Sequence, residues 1–260
     1  MRMKKRERKK RLSGNKKPLV ILISIIILIL VFFLLFITVK INNLGKFSVI
    51  KKASDGGASV LIIDIKKESV TNYKIDPDFV LNSSYGYGEY KLSSLWILGG
   101  KEGLNGDLVA KSIASNFLIP IYLWKDDSKS NLSIYQKIKL RLVSKNIQSD
   151  ALKFKSFDLP NSILINFVNE KIQESGIGVE VDDLTGDTDS INKVSKIVGT
   201  LGTKVVNYNK GYNSDFGCEV YAFDTEIREL LSNIFDCKSF TNEDKSKIKL
   251  KLGAKFAERF

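Results

Sequence analysis

The chain has 260 residues, 27% of them charged, with a formal charge of +12 and no histidine. Without imidazole, Ser-His-Asp and Cys-His triads, His-ligated zinc or haem, and imidazole general-base steps are all excluded. The charge is concentrated: residues 1–17 hold ten Lys or Arg against the single acid Glu7, so +9 of the +12 lies there.

Residues 1–17 are expected to be a basic cytoplasmic tail. No aromatic residue interleaves its cations and no recognisable nucleic-acid-reading fold accompanies it, so no nucleic acid is expected as a partner. Residues 18–39, PLVILISIIILILVFFLLFITV, are 22 consecutive residues without a charge. A helix over them would reach roughly 33 Å, enough to cross a bilayer once. The competing reading, a cleaved signal peptide, has an apolar core of about 7 to 15 residues and then a small-x-small site, whereas Thr38, Val39, Lys40, Ile41 and Asn42 stand here. The expectation is an uncleaved single-pass transmembrane helix over 18–39 in the cell membrane. By the positive-inside rule its N-terminus is cytoplasmic and the C-terminal domains are extracytoplasmic.

The outer part has the length of two small domains. In residues 45–125, Ser59–Lys66 (SVLIIDIK) is a β-branched apolar run bounded by Gly56 and Gly57, and Val70–Ile75 alternates like its hairpin partner. The Gly-Tyr-Gly at 86–88 lacks a phosphate-loop framework and is a tight turn. Leu92, Leu95, Trp96 and Gly99 fall at helical spacing, as do Leu108, Val109, Ile113, Phe117 and Leu118, with Pro120 as the stop. IPIYLW at 119–124 is a further strand, and both Trp96 and Trp124 occupy core-like positions. Residues 126–165 are polar and helix-prone, a helical connector. From residue 166 to 260 the predicted order is strand 177–181, helix 190–201, strands 203–208 and 218–223, helix 225–235 and strand 248–252, the split β-α-β plan. The fold class is therefore mixed α/β (α+β) behind a membrane helix.

Two constellations in this last segment carry chemistry. Asp182, Asp183, Asp187 and Asp189 resemble a cation loop, but the spacing misses the EF-hand pattern, and capping of the next helix is the simpler reading. Cys218 and Cys237 are the only cysteines. In an oxidising compartment they can pair, since one opens a strand and the other follows the next helix; two buried free thiols are the alternative. A disulfide is expected.

The strand VLIIDI, the strand end at KIDPDF, YGYGEYKLSSLWILGG and the helix closing at IPIYLW together resemble a divergent LytR-CpsA-Psr domain of bacterial cell envelopes. NEKIQESGIGVEVDDLTG, SINKVSKIVGTLG, TKVVNY, FDC and IKLKLGAKF resemble the LytR C-terminal domain that follows it. The resemblance implies transfer of glycopolymer from a polyprenyl pyrophosphate carrier to peptidoglycan, with arginines and aspartates holding pyrophosphate and a divalent metal. In the motif Lys74, Ile75, Asp76, Pro77, Asp78 only Asp78 matches the family, Pro77 stands at an arginine's place, and Arg141 is the sole arginine in 57–165. Lysine does not replace a bidentate guanidinium. The leading expectation is thus a catalytically degenerate envelope protein whose partners are the membrane and a cell-wall polymer, a polyprenyl-linked precursor or an envelope protein, with no cofactor. The alternatives are an active phosphotransferase using Mg or Mn, with Asp78 as catalytic or metal-binding residue, and a structural membrane scaffold.

Overall fold

The computed structural model describes residues 21–23, 25–29, 31–32, 45–143, 152–154 and 156–260. The expectation of a transmembrane helix is corrected: among the described residues no helix is long and apolar enough to cross a membrane. Those described between 21 and 32 are helical. The basic tail and residues 18–20, 24, 30 and 33–39 lie outside the described residues.

Leu44–Phe260 form one compact unit built on two five-stranded sheets. The first sheet comprises β1 (Lys46–Lys52), β2 (Ala58–Asp64), β3 (Ser69–Ile75), β6 (Leu123–Lys125) and β7 (Leu152–Lys153) in the order β6-β1-β2-β3-β7. β2 pairs antiparallel with β1 and β3, while the edges β6 and β7 run parallel to their neighbours. The predicted hairpin is present. β2 is buried on both faces, which is why SVLIID is almost uninterrupted in apolar character.

On one face Ile50, Val60, Ile62, Tyr73 and Ile75 pack with Leu95 of α1 (Leu92–Lys101) and with Val109 and Ile113 of α2 (Gly106–Phe117). On the other, Val49, Leu61 and Ile63 meet Leu132, and Leu140 of α3 (Ile134–Val143). The stretch expected as a connector therefore roofs the sheet. It also supplies β7 and Phe154, whose ring stacks on Tyr73 at 5.0 Å. Between β3 and α1 a two-stranded ribbon, β4 (Val80–Ser83) and β5 (Gly88–Lys91), is closed by a 3-10 turn at Ser84–Gly86.

The second half begins with the short helix α4 (Glu170–Ser175) and builds β8 (Val179–Leu184), α5 (Thr188–Thr200), β9 (Val205–Lys210), β10 (Cys218–Ala222), α6 (Thr225–Phe235), β11 (Lys238–Thr241) and β12 (Ile248–Gly253). The order β11-β10-β12-β8-β9 replaces the expected split β-α-β plan. β8 and β9 are adjacent and parallel, as are β10 and β11, so neither β-α-β unit is split. β12 lies between the units, parallel to β8 and antiparallel to β10. Residues 238–241 also form an edge strand beyond β10 that the sequence pattern does not show. Ile191, Val194, Ile197, Leu231 and Ile234 seal one face of this sheet over Val181, Val220 and Leu250.

The halves are joined by named contacts. Lys111 Nζ meets Asp236 Oδ2 at 2.8 Å, the Tyr85 amide donates to Arg259 O at 3.2 Å, and Thr200 Oγ1 donates to Leu118 O at 3.2 Å. Leu118 and Tyr122 of the first half pack against the second core.

Candidate functional site

Period-two alternation sends every second residue of a strand to the opposite face, and in the second sheet the two faces differ in chemistry. Val179, Val181, Val220, Leu250 and Leu252 point under the helices, while Glu180, Asp182, Glu219, Tyr221, Lys249 and Lys251 point the other way and stay partly exposed. Lys245, Lys247, Lys249 and Lys251 alternate through the sequence, so β12 and the turn before it present a lysine stripe along the middle of this open face.

Aromatic rings stand beside the stripe. Tyr221 is in register with Phe240 on β11 and Lys249 on β12. Its ring stacks on Phe240 at 5.2 Å between centroids, with 22° between planes, and Lys251 Nζ lies 5.0 Å from its centroid. Phe240 is 41% exposed and Phe223, next on the same parity, is 46% exposed with Lys245 Nζ 4.6 Å from its centroid. Rings this open beside lysines belong to the exposed surface and not to the core.

Carboxylates and an amide fix the polar groups. Tyr221 Oη donates to Glu219 Oε2 at 2.6 Å. That hydrogen bond, then burial, pushes the phenol up to about 12. Lys249 pairs with Asp182 at 2.7 Å and Lys247 with Glu180 at 3.6 Å. Burial alone would raise the Asp182 carboxyl, but a 2.9 Å hydrogen bond from Asn209 Nδ2 and the Lys249 cation outweigh it and hold it below the usual carboxylate range. The arrangement can stack rings and hold anions.

The aspartate cluster does not converge. Asp182 faces outward, Asp183 turns inward to accept from the Thr185 hydroxyl at 2.6 Å and from Tyr208, and Asp187 caps α5 by accepting from the amides of Asp189 and Ser190. Burial and then the Asp183 hydrogen bond push Tyr208 up to about 12. Among the described residues no group of three or more metal-ligating side chains is assembled. Asp78 lies on the turn after β3, 80% exposed at its side chain, and pairs with Lys91 at 2.8 Å. Lys74 is exposed on β3 and Arg141 is exposed on α3; Asp76 pairs with Lys153 at 3.3 Å. Asp78, Lys74 and Arg141 line none of the described clefts. Cys218 and Cys237 stand at disulfide distance, with Cα atoms 4.6 Å apart, at the head of β10 and just before β11. Both are buried.

The sequence reading missed the open face. Its signal was the alternation of lysines over 245–251, which shows the face of a strand when read at period two, together with aromatics at 221, 223 and 240. No protein-family model matches the chain, and no curated protein matches it either.

Proposed function

We propose that the chain is a membrane-anchored cell-envelope protein of the LytR-CpsA-Psr type, catalytically degenerate, whose folded unit lies on the extracytoplasmic side and binds an anionic wall glycopolymer across the open face of its second sheet. The observation that carries this reading is the Tyr221–Phe240 platform flanked by the lysine stripe. The apolar C–H face of a sugar ring packs on an aromatic ring, and Lys245 and Lys251, the two lysines of the stripe that no carboxylate pairs among the described residues, can meet anions of a polymer. The disulfide-spaced cysteines support an oxidising location, and the basic and apolar composition of residues 1–39 supports attachment to a membrane. A phosphotransferase centred on Asp78 draws no comparable support, because that carboxylate is open to water and held by Lys91.

Co-sedimentation of the purified full chain with cell-wall polymer tests the reading. Binding should weaken with salt and fall about tenfold for each of Tyr221→Ala and Phe240→Ala, the scale of about 1–3 kcal/mol per lost ring stack. Undiminished binding by the double variant, or equal competition by single-stranded nucleic acid, would overturn it.

A further inference from the structure

The chain contains one Asn-Gly step, Asn105–Gly106, and it stands at the turn from α1 into α2. Asn105 has φ 52° and ψ −133°, close to the first central position of a type II′ turn, where φ is about 60° and ψ about −120°. In an L residue at that ψ the following nitrogen eclipses Cβ, so the Gly106 nitrogen lies on the side of the Asn105 side chain. The surroundings hold the step in this form. The Asn105 amide donates to Gly99 O at 2.6 Å, and a Cβ on Gly99 would strike the Asn105 carbonyl. Gly106 is buried, and a Cβ there would strike the Trp124 indole. The side chain is fixed as well: Asn105 Nδ2 donates to Gly103 O at 3.0 Å, and Oδ1 accepts from Lys129 Nζ at 2.9 Å.

That geometry has a chemical outcome. In a helical or extended asparagine the next nitrogen is turned away from the carboxamide, and folding suppresses attack upon it. Here the backbone already has the form of the five-membered ring that such an attack closes. Gly106 opens α2, so its amide has no acceptor within the helix. A cation hydrogen-bonded to the carboxamide oxygen stabilises the negative charge that develops there when a nucleophile adds to Cγ. We infer that Asn105–Gly106 is a self-modification site, at which the folded chain closes a succinimide and deamidates. The Gly106 amide gives its proton to hydroxide and its nitrogen bonds to Asn105 Cγ, with Lys129 on the oxyanion. The Cγ–Nδ2 bond then breaks, and Nδ2 leaves as ammonia with a proton from water. Water opens the imide at Cγ to give aspartate, or at the backbone carbonyl to give isoaspartate. The second product routes the main chain through the side chain and adds a methylene between Gly99 and Trp124, where the packing leaves no slack. Asp107, the residue after the step, accepts from Trp124 Nε1 at 2.7 Å, so the displacement reaches that indole too. The change is irreversible and is independent of polymer binding at the sheet face.

The test ages the full chain in detergent at mildly alkaline pH, folded or unfolded in guanidinium, and maps the products by peptide mass spectrometry. Hydroxylamine, which cleaves the main chain at a succinimide, traps the ring. The expected result is that Asn105 deamidates before any other asparagine, severalfold faster in the folded chain than in the unfolded one, and faster as the pH rises. Lys129→Met, at an exposed position, should slow the folded-state reaction severalfold and leave the unfolded-state rate unchanged. Asn105→Gly, which accepts the positive φ but carries no carboxamide, should fold and should show no hydroxylamine cleavage at this step. A folded-state rate equal to or below the unfolded one would overturn the inference, as would an unchanged folded-state rate in Lys129→Met.

Discussion

Glu219 and Tyr221 are two residues apart on β10, so parity alone puts them on one face, and the 2.6 Å hydrogen bond between them gives the phenol its high pKa of about 12. The sign follows from the neutral phenol being the donor. A tyrosine whose folded pKa exceeds its unfolded value of about 10 contributes its full stabilisation below pH 10 and loses it as the pH rises toward 12. Titration of phenolate absorbance should therefore show late-ionising tyrosines, and Glu219→Gln should return one of them toward 10. An unchanged curve would mean that Glu219 is not the cause. Tyr208 remains late in that variant, since its high value comes from burial and Asp183.

At the scale of the element, β10, α6 and β11 form a parallel unit whose two strands are cross-linked at their heads by Cys218 and Cys237, 19 residues apart. Closing a loop of that size removes unfolded-state entropy equivalent to about 3 kcal/mol. Cys218→Ser and Cys237→Ser should each lower urea stability by about that amount, and reductant should lower the native protein to the same level; a native protein indifferent to reductant would contradict this. β11 is also the strand least legible in the sequence. Its four residues, Lys238–Thr241, are all exposed, so no apolar alternation marks them, and pairing with β10 alone decides their conformation. β1 escaped notice for a related reason: KFSVIKK ends in lysines, and its buried Phe47, Val49 and Ile50 are divided between two cores. By contrast β2, α5 and α6 were readable, because burial on a whole face or stripe imposes its period on the sequence. The same reasoning separates the two candidate sites. Asp78 attracted attention through a local motif, whereas the open face is assembled from residues far apart in the chain.

For the whole molecule the decisive region is the junction. Tyr85, Leu118 and Asp236 adopt positive φ although none is glycine, and each makes a contact across the junction. Such conformations cost on the order of 1 kcal/mol each and persist only where surroundings fix them. Burial would raise the Asp236 carboxyl, but Lys111 and Arg259 outweigh it and lower its pKa. Its contribution is therefore present above the ordinary carboxylate value near 4 and is lost as the pH falls through the lowered folded value. Lys111→Met should cost about 1 kcal/mol, since Asp236 is half exposed and screened, and should flatten the acid dependence. Trp96 and Trp124 both lie in the first half, so their fluorescence reports on it alone. If the halves unfold as one, Cys218→Ser will shift the tryptophan transition as well; a tryptophan midpoint unmoved by that change would show two independent units.

The place of β12 has a consequence for the order in which the fold can be reached. Each β-α-β unit can pair its own strands as it emerges, yet within the sheet the units are joined through β12, which follows both in the sequence and occupies the centre of the sheet. Until Ile248–Gly253 arrives, β8 and β10 each expose an unpaired inner edge with apolar residues beside it, a template for pairing with other chains. A chain emerging vectorially would thus carry two half-sheets awaiting one keystone strand. An oxidant acting early would staple the second of them before the first had a neighbour.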